Sequence, residues 1–196
     1  MRVIGWLMEV TADVPAEDRR LARRVVGWGP PWVRRCAPVV EEAAEHTKVW
    51  WVAATAMAAF GGWRGRRAAL AGVTAMAAAE VLSNAVCKQL VERRRPPREW
   101  VPPEALDDRP DSSSFPSGHT AAAFAFAGAV APTWPAMGAV CGASAAVVAA
   151  ERVLSGAHYP LDVAAGGAIG LAAAALARQA PRRVVARKAA GCITPG

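Results

Sequence analysis

Residues 112–150 read SSSFPSGHTAAAFAFAGAVAPTWPAMGAVCGASAAVVAA, a run of 39 residues without one Asp, Glu, Lys or Arg. A helix on the surface of a water-soluble domain needs a polar stripe, and this stretch has none. About 20 mainly apolar residues cross a bilayer core, so the run is long enough for two crossings that part at 133–135. Working outward, residues 163–177 are also uncharged, and residues 68–87 carry only Glu80. With 54% apolar residues in a chain of 196, disorder is excluded, and the segregation of charge excludes a soluble domain. The sequence is that of a multi-pass protein of the cell membrane.

The pattern predicts an all-α polytopic bundle of about five spans, at 49–63, 68–87, 115–133, 136–154 and 160–178. Trp50, Trp51 and Trp63 bracket the first, as rings at the two interfaces would. The chain has 47 alanines, and small residues let helices approach closely in lipid; Gly166 and Gly170 form such a GxxxG contact. Before the spans, Arg19, Arg20, Arg23 and Arg24 alternate with Leu21, Val25, Val26 and Trp28, which suits an amphipathic interfacial helix. Pro30-Pro31 stops it, and a second short helix follows from Trp32. Three regions result: interfacial helices over 1–47, a membrane-embedded domain over 48–180, and a basic tail over 181–196. The connection over 93–114 is rich in Pro, Asp and Ser and reads as an irregular loop.

Lys and Arg number 23 against 16 acidic residues, a net charge of +7, and all but three of the cations are Arg. These cations sit between apolar runs and form no long exposed face, which argues against nucleic acid and for anionic lipid or a phosphorylated substrate. Cys36, Cys87, Cys141 and Cys192 have no metal-ligand spacing.

Alternating spans bring the connections at 87–115 and 154–160 to one membrane face. Lys88, Arg95, Ser117, His119, Arg152, His158 and Asp162 converge there, and ionisable residues at membrane depth point to function. Three cations suit a tetrahedral oxyanion. Pro116-Ser117-Gly118-His119 opens a helix whose free N–H groups bind an anion, with Gly118 admitting the ligand to the backbone. Asp162, four residues after His158, can hold the imidazole Nδ1–H and leave Nε2 as a nucleophile, while His119 protonates a leaving oxygen. Such a phosphoryl-transfer site uses no metal, and three nearby cations would oppose a divalent ion. His46 reads as interfacial, Glu80 and Asn84 as an interhelical polar contact, Arg93 and Arg94 as headgroup contacts or solvated charges, and Trp100 as an interfacial anchor.

Lys88 to Pro96 matches KxxxxxxRP, residues 116–119 match PSGH, and Arg152 to Asp162 matches RxxxxxHxxxD. With these three motifs in order, the chain resembles the type 2 phosphatidic acid phosphatase superfamily, whose helical core is shared with vanadium haloperoxidases and bacterial acid phosphatases. The resemblance covers about residues 48–180 and implies a metal-independent lipid phosphate phosphatase without cofactor. It implies a phosphohistidine at His158, oriented by Asp162, with His119 as general acid. Lys88, Arg95, Arg152, the Ser117 hydroxyl and the Gly118 amide would bind phosphate. Implied substrates are polyprenyl phosphates or diphosphates, phosphatidic acid and phosphatidylglycerol phosphate. A phosphotransferase using the same intermediate, a vanadate-dependent haloperoxidase and a non-catalytic lipid-phosphate binder are the rival readings; acceptor-dependent products, a peroxide–bromide assay, and binding without release would distinguish them. The family usually has Ser before the third-motif Arg, where this chain has Glu151.

Overall fold

The computed structural model describes residues 13–26, 28–101 and 112–191, without the side chains at 31, 34 and 180–191, and all regular structure among them is helical. Residues 102–111 of the expected Pro-, Asp- and Ser-rich loop, Cys192 and the first twelve residues lie outside that set. Two helices come first, α1 (Ala16–Val25) and α2 (Pro31–Ala44). Glu17 and Asp18 open α1 and Arg23 and Arg24 close it, complementing its dipole at both ends. Pro31 is the first residue of α2 and not a stop before it, because a proline's missing N–H costs nothing in a first turn.

The apolar helices are α3 (Lys48–Phe60), α4 (Gly62–Leu90), α5 (Gly118–Val130), α6 (Pro135–Leu154) and α7 (Pro160–Gly191). Three are long and apolar enough to cross a membrane: α4, α6, and the Pro160–Gln179 part of α7. Helices α3 and α5 have 13 residues each, roughly 20 Å at 1.5 Å per residue, against about 30 Å of hydrocarbon. The sequence alone places spans at both. For α5 the cause is packing: ten of its residues are buried, and α4, α6 and α7 surround it. An alanine-rich helix apolar on every side is what a bundle interior requires, whether or not it crosses the bilayer. The Arg64–Arg67 segment is the first turn of α4, not a loop, and the chain reverses at Gly61–Gly62, where Gly62 takes a positive φ of 56°.

Trp50 and Phe126 pack with ring centroids 5.3 Å apart at the centre of one core cluster, with Met57, Met76 and Val130 around them. Alanines of α4, α5 and α7 form a second cluster. Gly166 and Gly170 make this close packing possible, since a Cβ on them would lie 2.4 Å from the Ser117 carbonyl oxygen and 2.3 Å from that of Ala121. The C-terminal ends of α4 and α6 thereby meet the N-terminal ends of α5 and α7 at one end of the bundle.

Candidate active site

At that end lies a chamber of about 100 Å³ lined by Lys88, Arg95, Gly118, His119, Arg152 and His158. His46, Thr47, Glu80 and Asn84 complete its wall. Six of the eight residues singled out by sequence therefore share one cavity, and Ser117 and Asp162 stand behind it, fully buried. A wider polar vestibule of about 940 Å³ adjoins the chamber through Asn84, Lys88 and Arg95 and is walled by Glu92, Arg94 and Arg98.

His158 occupies the turn between α6 and α7. Its Nδ1 is 2.6 Å from the Ser114 carbonyl oxygen, which assigns the proton to Nδ1, and Arg95 Nη1 lies 3.4 Å from Nε2. The lone pair on Nε2 thus meets a cation at the chamber wall. Burial, with the charges of Arg95 and Arg152, holds this imidazole well below the ordinary histidine range, so it is neutral. The expected His158–Asp162 hydrogen bond is not made: Asp162 Oδ2 is 3.9 Å from Nδ1, and a backbone carbonyl does the orienting. The i,i+4 spacing brings the two residues close, but the helix terminus claims the carboxylate first.

Asp162 is the third residue of α7, and its Oδ2 accepts the Tyr159 N–H at 2.9 Å, as an N3 carboxylate reaching back to the cap residue does. Its other oxygen, Oδ1, pairs with Arg93 Nη1 at 2.9 Å, and the Ser114 side chain also bonds the carboxylate. Its backbone carbonyl accepts the Ser117 N–H at 3.0 Å, tying α7 to the start of α5. Arg93 lies over the Phe115 ring at 5.1 Å and reaches Asp18 of α1, whose Oδ1 accepts the Leu161 N–H at 3.1 Å. Arg93 is therefore neither a headgroup contact nor a solvated charge. The signal was available: the segment after α4 is extended, and in an extended chain alternate residues share a face, which puts Arg93 with Val91 and Arg95 inside and Glu92 and Arg94 outside.

Arg95 is fixed by carbonyls, with Nη1 donating to Ala157 O at 2.7 Å and Nε to Ser112 O at 3.0 Å. Arg152 is held by two carboxylates. Its Nε pairs with Glu151, and its Nη2 lies 2.8 Å from Glu41 Oε1. Of the three cations that sequence assigns to the oxyanion, Arg152 is thus matched by carboxylates, and Glu41 sits on α2, too far away in sequence to be seen there. The Ser117 hydroxyl is the N-cap of α5 and bonds Thr120 Oγ1 at 2.9 Å. Asn84 and Glu80 face the chamber, Asn84 from a π-helical stretch of α4 (Val81–Cys87), a geometry that recurs at functional sites. His46 and Thr47 turn α2 into α3 with φ of 48° and 58°, left-handed values that side chains other than glycine rarely adopt, and this strained corner forms part of the chamber wall.

The sequence profile of the PAP2 superfamily matches residues 68–185. No curated protein sequence matches the chain. Among solved structures, the chain resembles a transmembrane PAP2-type phosphatidylglycerolphosphate phosphatase from Bacillus subtilis, with a TM-score of 0.67 and 21% identity over 93% of this chain and 96% of the other. It also resembles LpxE from Aquifex aeolicus, with a TM-score of 0.67 and 23% identity over 86% of this chain and 98% of the other.

Proposed function

The chain belongs to the PAP2 superfamily as a membrane-integral phosphatase, and from that premise we propose that it hydrolyses the terminal phosphate of a membrane lipid through a phosphohistidine on His158. The observation that carries this reading is the placement of His158, its Nδ1 held by the Ser114 carbonyl and its Nε2 beside Arg95, in a chamber that His119 and three cations also line. The chamber has room for a compact oxyanion, and the lipid's remaining head group would lie in the basic vestibule with its tail in the bilayer.

In the first step His158 Nε2 attacks phosphorus, the P–N bond forms as the P–O bond to the lipid breaks, and His119, protonated once the bound phosphate offsets the surrounding cations, gives its proton to the departing oxygen. Lys88, Arg95 and the Gly118 amide stabilise the equatorial oxygens. Arg152 Nε is engaged by Glu151 and Nη2 lies beside Glu41, so a phosphoryl oxygen would be met by the remaining N–H groups of the guanidinium. In the second step water loses a proton to His119 and attacks phosphorus; the P–N bond breaks and orthophosphate leaves. Asp162 and Ser117 shape the site from behind, the former through Ser114 and the latter as the cap of α5.

The substrate class we favour is a lipid phosphomonoester or diphosphate: a polyprenyl phosphate or diphosphate, phosphatidic acid, or phosphatidylglycerol phosphate. The test is phosphate release by detergent-purified protein across that panel, in EDTA. His158→Ala should abolish turnover, and wild-type protein quenched in turnover should carry an acid-labile, base-stable phosphoryl group that the variant lacks. Near-normal turnover in the variant would overturn the assignment of the nucleophile.

A further inference from the structure

We infer that the end of the bundle opposite the phosphate chamber holds a second lipid site, a groove for the phosphodiester head group of an anionic phospholipid. The groove has a volume of about 500 Å³ and lies between the start of α4, the end of α5 and the outer part of α7. Along α4, Arg64 precedes Lys88 by 24 residues, roughly 36 Å, and along α7 Arg178 follows Asp162 by 16 residues, roughly 24 Å. The two cavities are thus about a bilayer core apart and share no residue.

Three arginines, Arg64, Arg67 and Arg178, converge on this groove, and none of its described lining residues is acidic. Their planar forks suit the two non-bridging oxygens of a phosphodiester. The same turn of α4 carries Arg66, which instead bonds the Ala58 carbonyl at 3.4 Å, so the cations in the groove are a selected set and not a uniform basic rim. Helix α4 starts there without a side-chain cap, adding its positive dipole end to the same concavity.

The surroundings choose a lipid over a free anion. Trp63 is 75% exposed with Arg67 Cζ 5.8 Å from its ring centroid, the arrangement of an aromatic at the membrane–water boundary beside a phosphate-binding cation. Below the cations the groove is walled by Ala71, Ala129 and Ala177, one from each helix or its end, and these small side chains leave a furrow. Leu70 and Leu176, next in sequence to Ala71 and Ala177, are exposed, as side chains that meet acyl tails would be. Head group on arginines and first methylenes over alanines is the shape of a lipid standing in its own leaflet.

The test uses the full-length protein in detergent, stripped of lipid, with native mass spectrometry against phosphatidylglycerol and phosphatidylcholine. Phosphatidylglycerol is a diester and offers no terminal phosphate to hydrolyse. It should be retained while phosphatidylcholine is not. The variant Arg64→Gln/Arg67→Gln/Arg178→Gln should bind phosphatidylglycerol on the order of 100-fold more weakly, since each surface cation contributes roughly fivefold. Its melting temperature without lipid should match wild type; if the triple variant fails to fold, Arg64→Gln and Arg178→Gln singly should each lose about fivefold. Equal retention of the two lipids, undiminished binding by the variants, or displacement of the lipid by millimolar inorganic phosphate would overturn the proposal. None of these readouts depends on phosphatase turnover, so the outcome is separable from that of His158→Ala.

Discussion

Arg93 Nη1 stands 2.9 Å from Asp162 Oδ1, and neither side chain is more than 3% exposed. This buried pair brackets Ser114: its N–H donates to the Arg93 carbonyl at 2.9 Å, its side chain bonds Asp162, and its own carbonyl holds His158 Nδ1. The pair therefore positions the imidazole at one remove. Removing one partner of a buried ion pair costs about 3–5 kcal/mol, so Arg93→Ala should lower the melting temperature sharply. Arg93→Lys keeps the charge but loses the planar fork. It should fold, and kcat should fall by up to about 100-fold, the effect of an ångström-scale misplacement, with KM little changed. Wild-type kcat in Arg93→Lys, or a loss confined to KM, would remove Arg93 from this role.

His158 makes the pH dependence predictable in sign. Its folded-state pKa lies well below the ordinary 6.5, because burial and the charges of Arg95 and Arg152 disfavour the imidazolium. The unfolded state then binds more protons than the folded state in the window below 6.5. The stability this group contributes is present above 6.5 and lost as pH falls toward the depressed value. Catalysis follows the same direction, since the Nε2 lone pair survives until that lower pH. The acid limb of kcat/KM assignable to His158 should lie below 6.5, and Arg95→Gln, at a lower absolute rate, should move it upward. A limb unmoved by Arg95→Gln would assign it to another group.

The parts of the site that could be read from sequence are those that local spacing encodes. Lys88 and Arg95 leave α4 together, Gly118 and His119 open α5, and Arg152 and His158 flank one turn, so three short motifs fall into one chamber once the helices pack. Contacts made across long sequence separations were not readable. Glu41 meets Arg152 and Asp18 caps α7 only because α1 and α2 fold onto the ends of α6 and α7. The His158–Asp162 contact was misread for a related reason: i,i+4 spacing gives proximity, but the Tyr159 N–H and Arg93 compete for the same carboxylate. The spans read from hydropathy at α4, α6 and α7 fall on helices long and apolar enough to cross a membrane. At α5, a 13-residue helix with protein on every side, burial in the bundle accounts for the same apolar run that hydropathy reads as a span.

Glu41 and Glu151 hold the same guanidinium but should behave differently. Glu41 is partly exposed and Glu151 is buried, at 23% and 4%. In Glu41→Gln, Arg152 keeps its orientation through Glu151 while a negative charge beside the phosphate is removed. Inorganic phosphate should then inhibit more tightly, by up to about fivefold, with kcat unchanged or lower. Glu151→Gln leaves a buried cation short of its nearest counter-charge and should cost about 3–5 kcal/mol in stability. Thermal melts and phosphate-inhibition constants of the two variants separate these outcomes; equal destabilisation by both would mean that Glu41 is as structural as Glu151.

Gly118 offers a sharper test of where the phosphate sits. A Cβ there would fall 2.8 Å from Asn84 Oδ1 and 3.3 Å from its Nδ2, the far end of a flexible side chain. Gly118→Ala should therefore fold, since Asn84 can turn aside, and its melting temperature should stay near wild type. The displaced amide would enter a chamber of only about 100 Å³, and the new methyl group would stand between the helix N–H groups and the oxyanion. Turnover should drop by up to about 100-fold. The double variant Asn84→Ala/Gly118→Ala separates the two causes: recovery assigns the loss to the displaced amide, and persistent loss assigns it to blocked approach to the backbone. Full activity in Gly118→Ala alone would mean that no phosphoryl oxygen comes near this helix start.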